Sequence, residues 1–426
     1  MKNKPLELIL KKNYQEDNMR KIAGLLVLLL LASSFAFARP SQDGNVITYY
    51  GFSEWTASEP FAKAYAAAKA QFEAENPGFK VELQSDPWGD WEPKYKTMFA
   101  SGNPADVFIV NNPDFPTFAN SGNLLDLDRY VQRGFFNGYF PGVQAMYQWQ
   151  GSNRAIAFTT DTRVLWYNKE LFAQAGLPDR APETWAELLS FAMQIRERTG
   201  RYGFGMDLGL TEFPVQSLYC ASGSAIIKVD NSGRITPNAD TPEFRAFLQL
   251  LIDLKPTFQP DFATMNHHDV ANMFAQGQYG IIIGNVLSET DIYTKNFWGQ
   301  GLVPRMNTSV PNGSFGGGFG IAVSSRTKHP EQAVRFAQLL TSARYNGDLV
   351  SDSPATAAGA AATYGAPQYR MFAEQIQYAR QPQPKTLYYS EIDRACYDTI
   401  VEVLVGGISV NEAVTRLTNR INQIVR

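Results

Sequence analysis

AIAFTTDTRVLWYNKELF, residues 155–172, decides how the chain is built. Its first four residues, AIAF, read as a short buried strand. TTD then interrupts the apolar run, and VLWY leads into the helical NKELF. A strand, a polar break and a strand running into a helix are what a chain shows when it passes from one lobe to another, with Asp161 at the seam. A carboxylate among apolar neighbours needs a partner. Here that partner is either Arg163, as a hinge salt bridge, or a ligand held in the seam.

Upstream, VITYYGF from Val46 is a β-rich run followed by a loop, SEWTASEP. Ser58 is placed to cap a helix whose first turn holds Pro60. Phe61, Ala64, Tyr65, Ala68 and Phe72 recur at helical spacing, and Asn76-Pro77-Gly78 stops them. Phe79, Val81 and Leu83 alternate as a second strand. This β-α-β opening predicts an α/β fold with a layered sheet. The unit repeats with SDPWGDW as a loop, EPKYKTMFA as a helix and ADVFIV as a strand buried on both faces. Asn111-Asn112-Pro113-Asp114 follows at that strand's C-terminal end, where open α/β sheets bind ligands.

Downstream, Thr184 and Glu187 have capping-box spacing ahead of a helix buried through Trp185, Leu188, Ala192 and Ile195 and closed by Gly200. Thr241 opens another helix. Asp269 is read as the cap of VANMFAQG, and YGIII from Tyr279 is a buried strand emptying into Gly284-Asn285. In GSFGGGFGIAVSS, three consecutive glycines before an apolar run indicate backbone that approaches something closely. The end of the chain reads as helical from about Ile392.

The chain has 426 residues, enough for two domains; 44% are apolar and 19% charged, which is globular rather than disordered. Met19-Arg20-Lys21, the apolar Ile22–Leu31 and Ala36-Phe37-Ala38 form a secretory signal read as residues 19–38, with the mature chain starting at Arg39 and residues 1–18 as an upstream extension. Residues 1–38 carry six Lys/Arg and three Asp/Glu; without them the net charge moves from −3 to −6. A mildly acidic chain argues against nucleic acid as a partner. No cysteine sits near the cleavage site, so the expected location is periplasmic or extracellular without a lipid anchor. Cys220 and Cys396 either pair or remain buried thiols.

Several blocks resemble one family. AKAQFEAENPGFKVEL, ASGNPADVFIV and FANSGNLLDLDRYV, then LWYNKELFAQAGLP with PETWAELLSFA, then FAQGQYGIIIG and FGGGFGIAVSSRTKHPEQAVRFAQLLTS, follow in order those of extracellular solute-binding proteins of the maltose-binding-like, sugar-type class that serve ABC importers. The resemblance implies the type II two-lobe fold, each lobe a β-sheet flanked by helices, with a ligand cleft between them. It places lobe 1 at 39–158 plus 320–343 and lobe 2 at 159–319 plus 344–426, with crossings near Ala155–Thr160, Gly318–Ile321 and Thr341–Tyr345. It implies a monomer that closes on a small polar solute, a sugar or similar polyhydroxy compound, and delivers it to the transmembrane subunits of a permease. No cofactor, metal or catalysis is expected.

On that fold the candidate ligand-binding residues are Trp55, Asp86, Trp88, Asn112, Asp114, Asp161, Glu212, Phe213, Asn285, Gly317, Gly318 and Arg394. Trp55 and Trp88 lie on loops after strands, where an indole face can cover a sugar ring; Trp55 can equally pack one lobe, and Trp91 reads as packing. Asp86 is equally a helix cap. Asn112 and Asp114 suit hydroxyls, since amides and carboxylates fork onto neighbouring oxygens; Asn112 alternatively starts an Asx turn. Asp161 matches an acidic position that meets ligand in the family, and Asp106 one that is structural. Glu212 also fits a helix first turn. Gly317 and Gly318 offer either backbone N–H groups or a hinge turn. Gly284-Asn285-Val286 stands where many relatives have Gly-x-Trp, so one aromatic platform is missing and a smaller or differently held ligand is implied.

Two other functions compete. An exported carbohydrate hydrolase would need two carboxylates at a set separation, for which Asp161 with Glu212 or Asp114 are the candidates. No G-x-S-x-G, H-E-x-x-H or Walker motif occurs, and His267-His268-Asp269 reads as a helix start. A sensor that presents bound ligand to a receptor would use the same fold.

Overall fold

The computed structural model of the protein describes residues 44–208, 213–230, 232–285, 290–349, 353–363 and 365–426. The signal segment and cleavage site fall outside them.

The first sheet starts with β1 (Val46–Phe52), which is followed by α1 (Glu59–Glu75), β2 (Lys80–Asp86), α2 (Trp88–Ala100) and β3 (Val107–Asn111). Ser58 Oγ accepts the Phe61 N–H at 3.3 Å, so the predicted cap forms. Phe61, Ala64, Ala68 and Phe72 of α1 are buried. Val107–Val110 of β3 are all buried, which explains its unbroken apolar run. Asp106 is structural: its carboxylate accepts from the Thr48 N–H and hydroxyl at 2.9 Å each and from Thr327 Oγ1 at 2.6 Å. Two stretches read as loops begin helices instead. Ser53–Thr56 forms one helical turn, and α2 starts at Trp88 inside SDPWGDW.

The second sheet contains β6 (Val164–Asn168), β7 (Tyr202–Phe204), β8 (Tyr279–Gly284) and β9 (Trp298–Gly301), in the order β9-β6-β8-β7. Around it pack α3 (Lys169–Gln174), α4 (Trp185–Thr199), α5 (Phe213–Cys220), α6 (Pro242–Leu254), α7 (His267–Ala275), α9 (Tyr389–Leu404) and α10 (Val410–Ile424). Thr184 caps α4 through the Glu187 N–H, and Gly200 ends it at φ 70°. The cap of α7 is Asn266, not Asp269. Asn266 Oδ1 accepts the Asp269 N–H, and the Asp269 carboxylate reaches back to the Asn266 N–H, each at 3.1 Å. Asp269 is therefore the far corner of a capping box.

Between the sheets runs a third, small one. β4 (Ala155–Ala157) belongs to the first sheet, ordered β2-β1-β3-β11-β4, and one residue later β5 (Thr159–Thr162) belongs to the joining sheet, ordered β12-β5-β10-β13. The return passage mirrors it, from β10 (Ser314–Gly317) to β11 (Phe319–Val323), with β12 (Ser353–Pro354) and β13 (Ala379–Arg380) at the edges. The polar break TTD is thus a strand in its own right. The two passages are bonded at the crossing: the Phe158 N–H donates to Phe319 O at 2.8 Å, and the Phe319 N–H to Thr159 Oγ1 at 3.0 Å. Gly318 turns there at φ 129°, where a Cβ would stand 2.3 Å from Thr159 O. Only glycine fits.

Tyr345, Leu349 and Ala355 share the apolar core of the first sheet, along with α8 (Pro330–Leu340), and β12 enters the joining sheet only at Ser353. A cation also spans the two halves. Lys385 donates to the carbonyls of Ala145 and Gln148. Cys220 and Cys396 are buried and are not joined in a disulfide, and burial pushes Cys220 up to about 12.

Candidate functional site

The residues just after β3 and β8 mark the site. Asn111 Oδ1 accepts the Asp114 N–H at 3.0 Å, so the turn expected of Asn112 is made by its neighbour. That frees Asn112. Its amide nitrogen lies 3.3 Å from Met146 Sδ, and its Oδ1 is buried with no donor among the described residues. At the end of β8 the Asn285 carbonyl accepts from Trp166 Nε1 at 3.3 Å, while the side-chain Oδ1 is again buried and without a donor there. Just past a strand of each lobe sheet there is thus an amide oxygen with no donor among the described residues. Leaving a buried acceptor unpaired costs roughly 1–3 kcal/mol, and a ligand that donates hydrogen bonds removes that cost.

In the joining sheet Asp161 pairs with Gly317. Its Oδ1 accepts the Gly317 N–H at 2.7 Å, and its Oδ2 lies 2.6 Å from Arg163 Nη1. Arg163 is buried, stacks 4.7 Å over the Phe315 ring and is held where the two passages meet. The hinge salt bridge is therefore present, and a quarter of the Asp161 side chain stays open to solvent. The Gly317 N–H is thus given to Asp161. Gly318 supplies the turn.

Trp55 is half-buried against Phe52, Phe158 and Phe319, at centroid distances of 4.9, 6.1 and 5.4 Å. Phe158 and Phe319 are the crossing residues themselves, so this indole stands beside the hinge. Asp86 is not the cap of α2. It accepts the Tyr50 hydroxyl at 2.8 Å and pairs with Lys94. Asp114 pairs with Lys96 at 3.1 Å. Arg394 is exposed on α9 and pairs with Asp398 at 2.9 Å, which is surface i, i+4 chemistry. Trp91 is buried as packing. Glu212 and the side chains of Trp88 and Phe213 lie outside the described residues.

Asp393, on α9, was not singled out from sequence. It is half-buried, and burial raises its carboxyl to about 6. Thr160 Oγ1 and Arg380 Nε are also buried without a partner among the described residues. A cavity of about 630 Å³ beside Arg234, Tyr388 and Asn422 is lined by none of the twelve candidates.

Two sheet-centred lobes joined by bonded strand passages, with unsatisfied amides at the strand ends of both, define a hinged two-lobe binding protein. The model of the family described as bacterial extracellular solute-binding protein matches residues 55–347, and the chain belongs to that family. It is 26% identical over 282 residues to the diacetylchitobiose binding protein DasA of Streptomyces coelicolor, covering 63% of this chain and 64% of that one. It is 23% identical over 363 residues to the multiple sugar-binding protein of Streptococcus mutans, covering 78% and 80%. Among solved structures, the sugar-binding protein MalE of Xanthomonas citri superposes with a TM-score of 0.76 at 22% identity, over 89% of this chain and 97% of that one. The cyclic α-maltosyl-1,6-maltose binding protein of Arthrobacter globiformis gives 0.74 at 20% identity, over 90% and 99%. These two likenesses are of fold.

Proposed function

We propose that this protein is the solute receptor of an ABC importer, capturing a carbohydrate between its lobes and passing it to a membrane permease as a monomer without performing chemistry on it. The observation that carries the reading is the pair of buried, unsatisfied amide oxygens, Asn112 and Asn285, one at the end of a strand in each sheet. Both are acceptors, and neutral polyhydroxy solutes are rich in donors. Trp55 beside the crossing supplies an apolar face for a sugar ring. The sugar ligands named for the diacetylchitobiose and multiple-sugar relatives point the same way.

The two lobes are taken as residues 47–158 with 319–355, and 159–318 with 356–426, because Tyr345, Leu349 and Ala355 pack with the first core. Family membership supports a periplasmic or secreted location. A hydrolase is the weaker reading: Asp161, its required carboxylate, is tied to Arg163.

A thermal-shift screen against maltose, N,N′-diacetylchitobiose, tagatose and glucose tests the proposal. Ligand at about 100 times its Kd adds roughly 2.7 kcal/mol to stability, and a Kd of order micromolar is expected. No shift with any of these sugars, or release of cleavage products, overturns it.

A further inference from the structure

Asn112 rests on a turn that the other half of the molecule grips. Its amide nitrogen donates to Met146 Sδ at 3.3 Å. Met146 is buried in the first core, as are Val143 before it and Tyr147 after it. The same turn is bonded to the outgoing passage: Gln144 Oε1 accepts the Ala157 N–H and Gln144 Nε2 donates to Ala155 O, each at 3.0 Å. Tyr147 also packs on Gly320 of the return passage, where a Cβ would stand 2.8 Å from its ring. Residues 144–148 therefore touch Asn112, β4 and β11 at once.

Lys385 holds this turn from outside. It donates to the carbonyl of Ala145 and, at 2.6 Å, to that of Gln148, so its two bonds bracket Met146 and Tyr147. Ala145 ends the short helix Pro141–Ala145. A carbonyl at a helix end has no partner within the helix, and a lysine is suited to supply one.

Lys385 itself is carried by the second lobe. After it comes α9, whose Ile392 and Ala395 lie in the second core. Before it, Gln383 Oε1 accepts the N–H of Ile226, a residue of that core, at 3.1 Å. Gln381 donates to Gly316 O of the joining sheet and accepts the Tyr389 hydroxyl at 2.7 Å. The backbone around Lys385 is thus fixed by the second lobe and the joining sheet, while its ammonium ends in the first lobe. Holding a lysine stem costs rotamer freedom. Two charge-assisted bonds from a backbone already fixed offset that cost.

We propose that Lys385 is a cross-lobe positioning residue for the solute site: by gripping the carbonyls on either side of Met146 and Tyr147, it sets the orientation of the Asn112 amide according to where the second lobe stands. The inference rests on Asn112 meeting solute, as in the function proposed above. A hinge motion that carries Lys385 away breaks both bonds and releases the turn. Lobe position and the first lobe's grip on solute are then coupled through one side chain.

The test uses the mature protein with its asparagines labelled by heavy nitrogen for magnetic resonance. Lys385→Met keeps the apolar stem and removes the donors; Lys385→Arg keeps charge and donors. Asn112→Ala identifies the Asn112 side-chain amide signals by their loss. In the empty protein Lys385→Met displaces those signals, and Lys385→Arg leaves them near their original positions. Titration calorimetry with maltose, N,N′-diacetylchitobiose and tagatose supplies the second readout. A sugar that binds the unsubstituted protein binds Lys385→Met about tenfold more weakly, the worth of roughly one charged hydrogen bond, and Lys385→Arg recovers most of that loss. Unmoved Asn112 signals in Lys385→Met overturn the inference, and so does unchanged affinity. An equal loss of affinity in Lys385→Met and Lys385→Arg also overturns it, since that marks packing of the lysine rather than donation. If none of the sugars binds the unsubstituted protein, the carbohydrate reading has failed, and the amide signals of the empty variants still decide the role of Lys385.

Discussion

The strands that build the lobes and the strands that join them are made of different residues. VFIVN, VLWYN and YGIIIG bury nearly every side chain. TTDT, SFGG, SP and AR, in the joining sheet, are short, small and polar. The first group is stabilised by apolar area and close packing. The second is held by backbone ladders, the Asp161–Arg163 pair and a glycine that no other residue can replace. Packed cores resist gradual deformation, whereas a few polar strand ends can absorb a change in dihedral angles, so motion between the lobes concentrates in the joining sheet.

The difference is open to three substitutions. Trp166→Ala strikes a lobe core: Trp166 is fully buried and meets Trp298 at 5.3 Å and Phe372 at 6.1 Å. A loss of about 3–5 kcal/mol is expected in urea denaturation. A much smaller loss would mean that this core is no more rigid than the hinge. Gly318→Ala strikes the turn of the return passage. Its Cβ would collide with Thr159 O in a backbone conformation side chains rarely adopt. About 2 kcal/mol is expected, and small-angle scattering of the empty protein should report altered lobe spacing; unchanged scattering would place the hinge elsewhere. Asp161→Asn keeps an acceptor for the Gly317 N–H but leaves Arg163 without its anion. About 1–2 kcal/mol is expected, with sugar affinity falling in step. A fall in affinity at an unchanged melting temperature would instead place Asp161 in contact with solute.

The legible parts share a short range. Ser58, Thr184 and Thr241 were read as caps because a cap needs only a side-chain oxygen and an N–H three residues on, and all three form. Asn112 and Asn285 were read as strand-end residues from the apolar runs before them. Asn266 was passed over for Asp269 because both acids and amides suit that place, and the capping box uses both. β5 was read as a break because TTDT shows no apolar alternation; its strand character comes from β10 and β12 on either side.

Sequence by itself determined the order of elements, the apolar faces and the helix ends, since each depends on neighbours within a turn or two of chain. Tertiary structure alone decided which acids are free. Lys94, Lys96 and Arg163 claim Asp86, Asp114 and Asp161, whereas Asp393, half-buried on α9, pairs with no cation among the described residues. Burial and pairing are sums over groups brought together from distant parts of the chain, and no local pattern contains them.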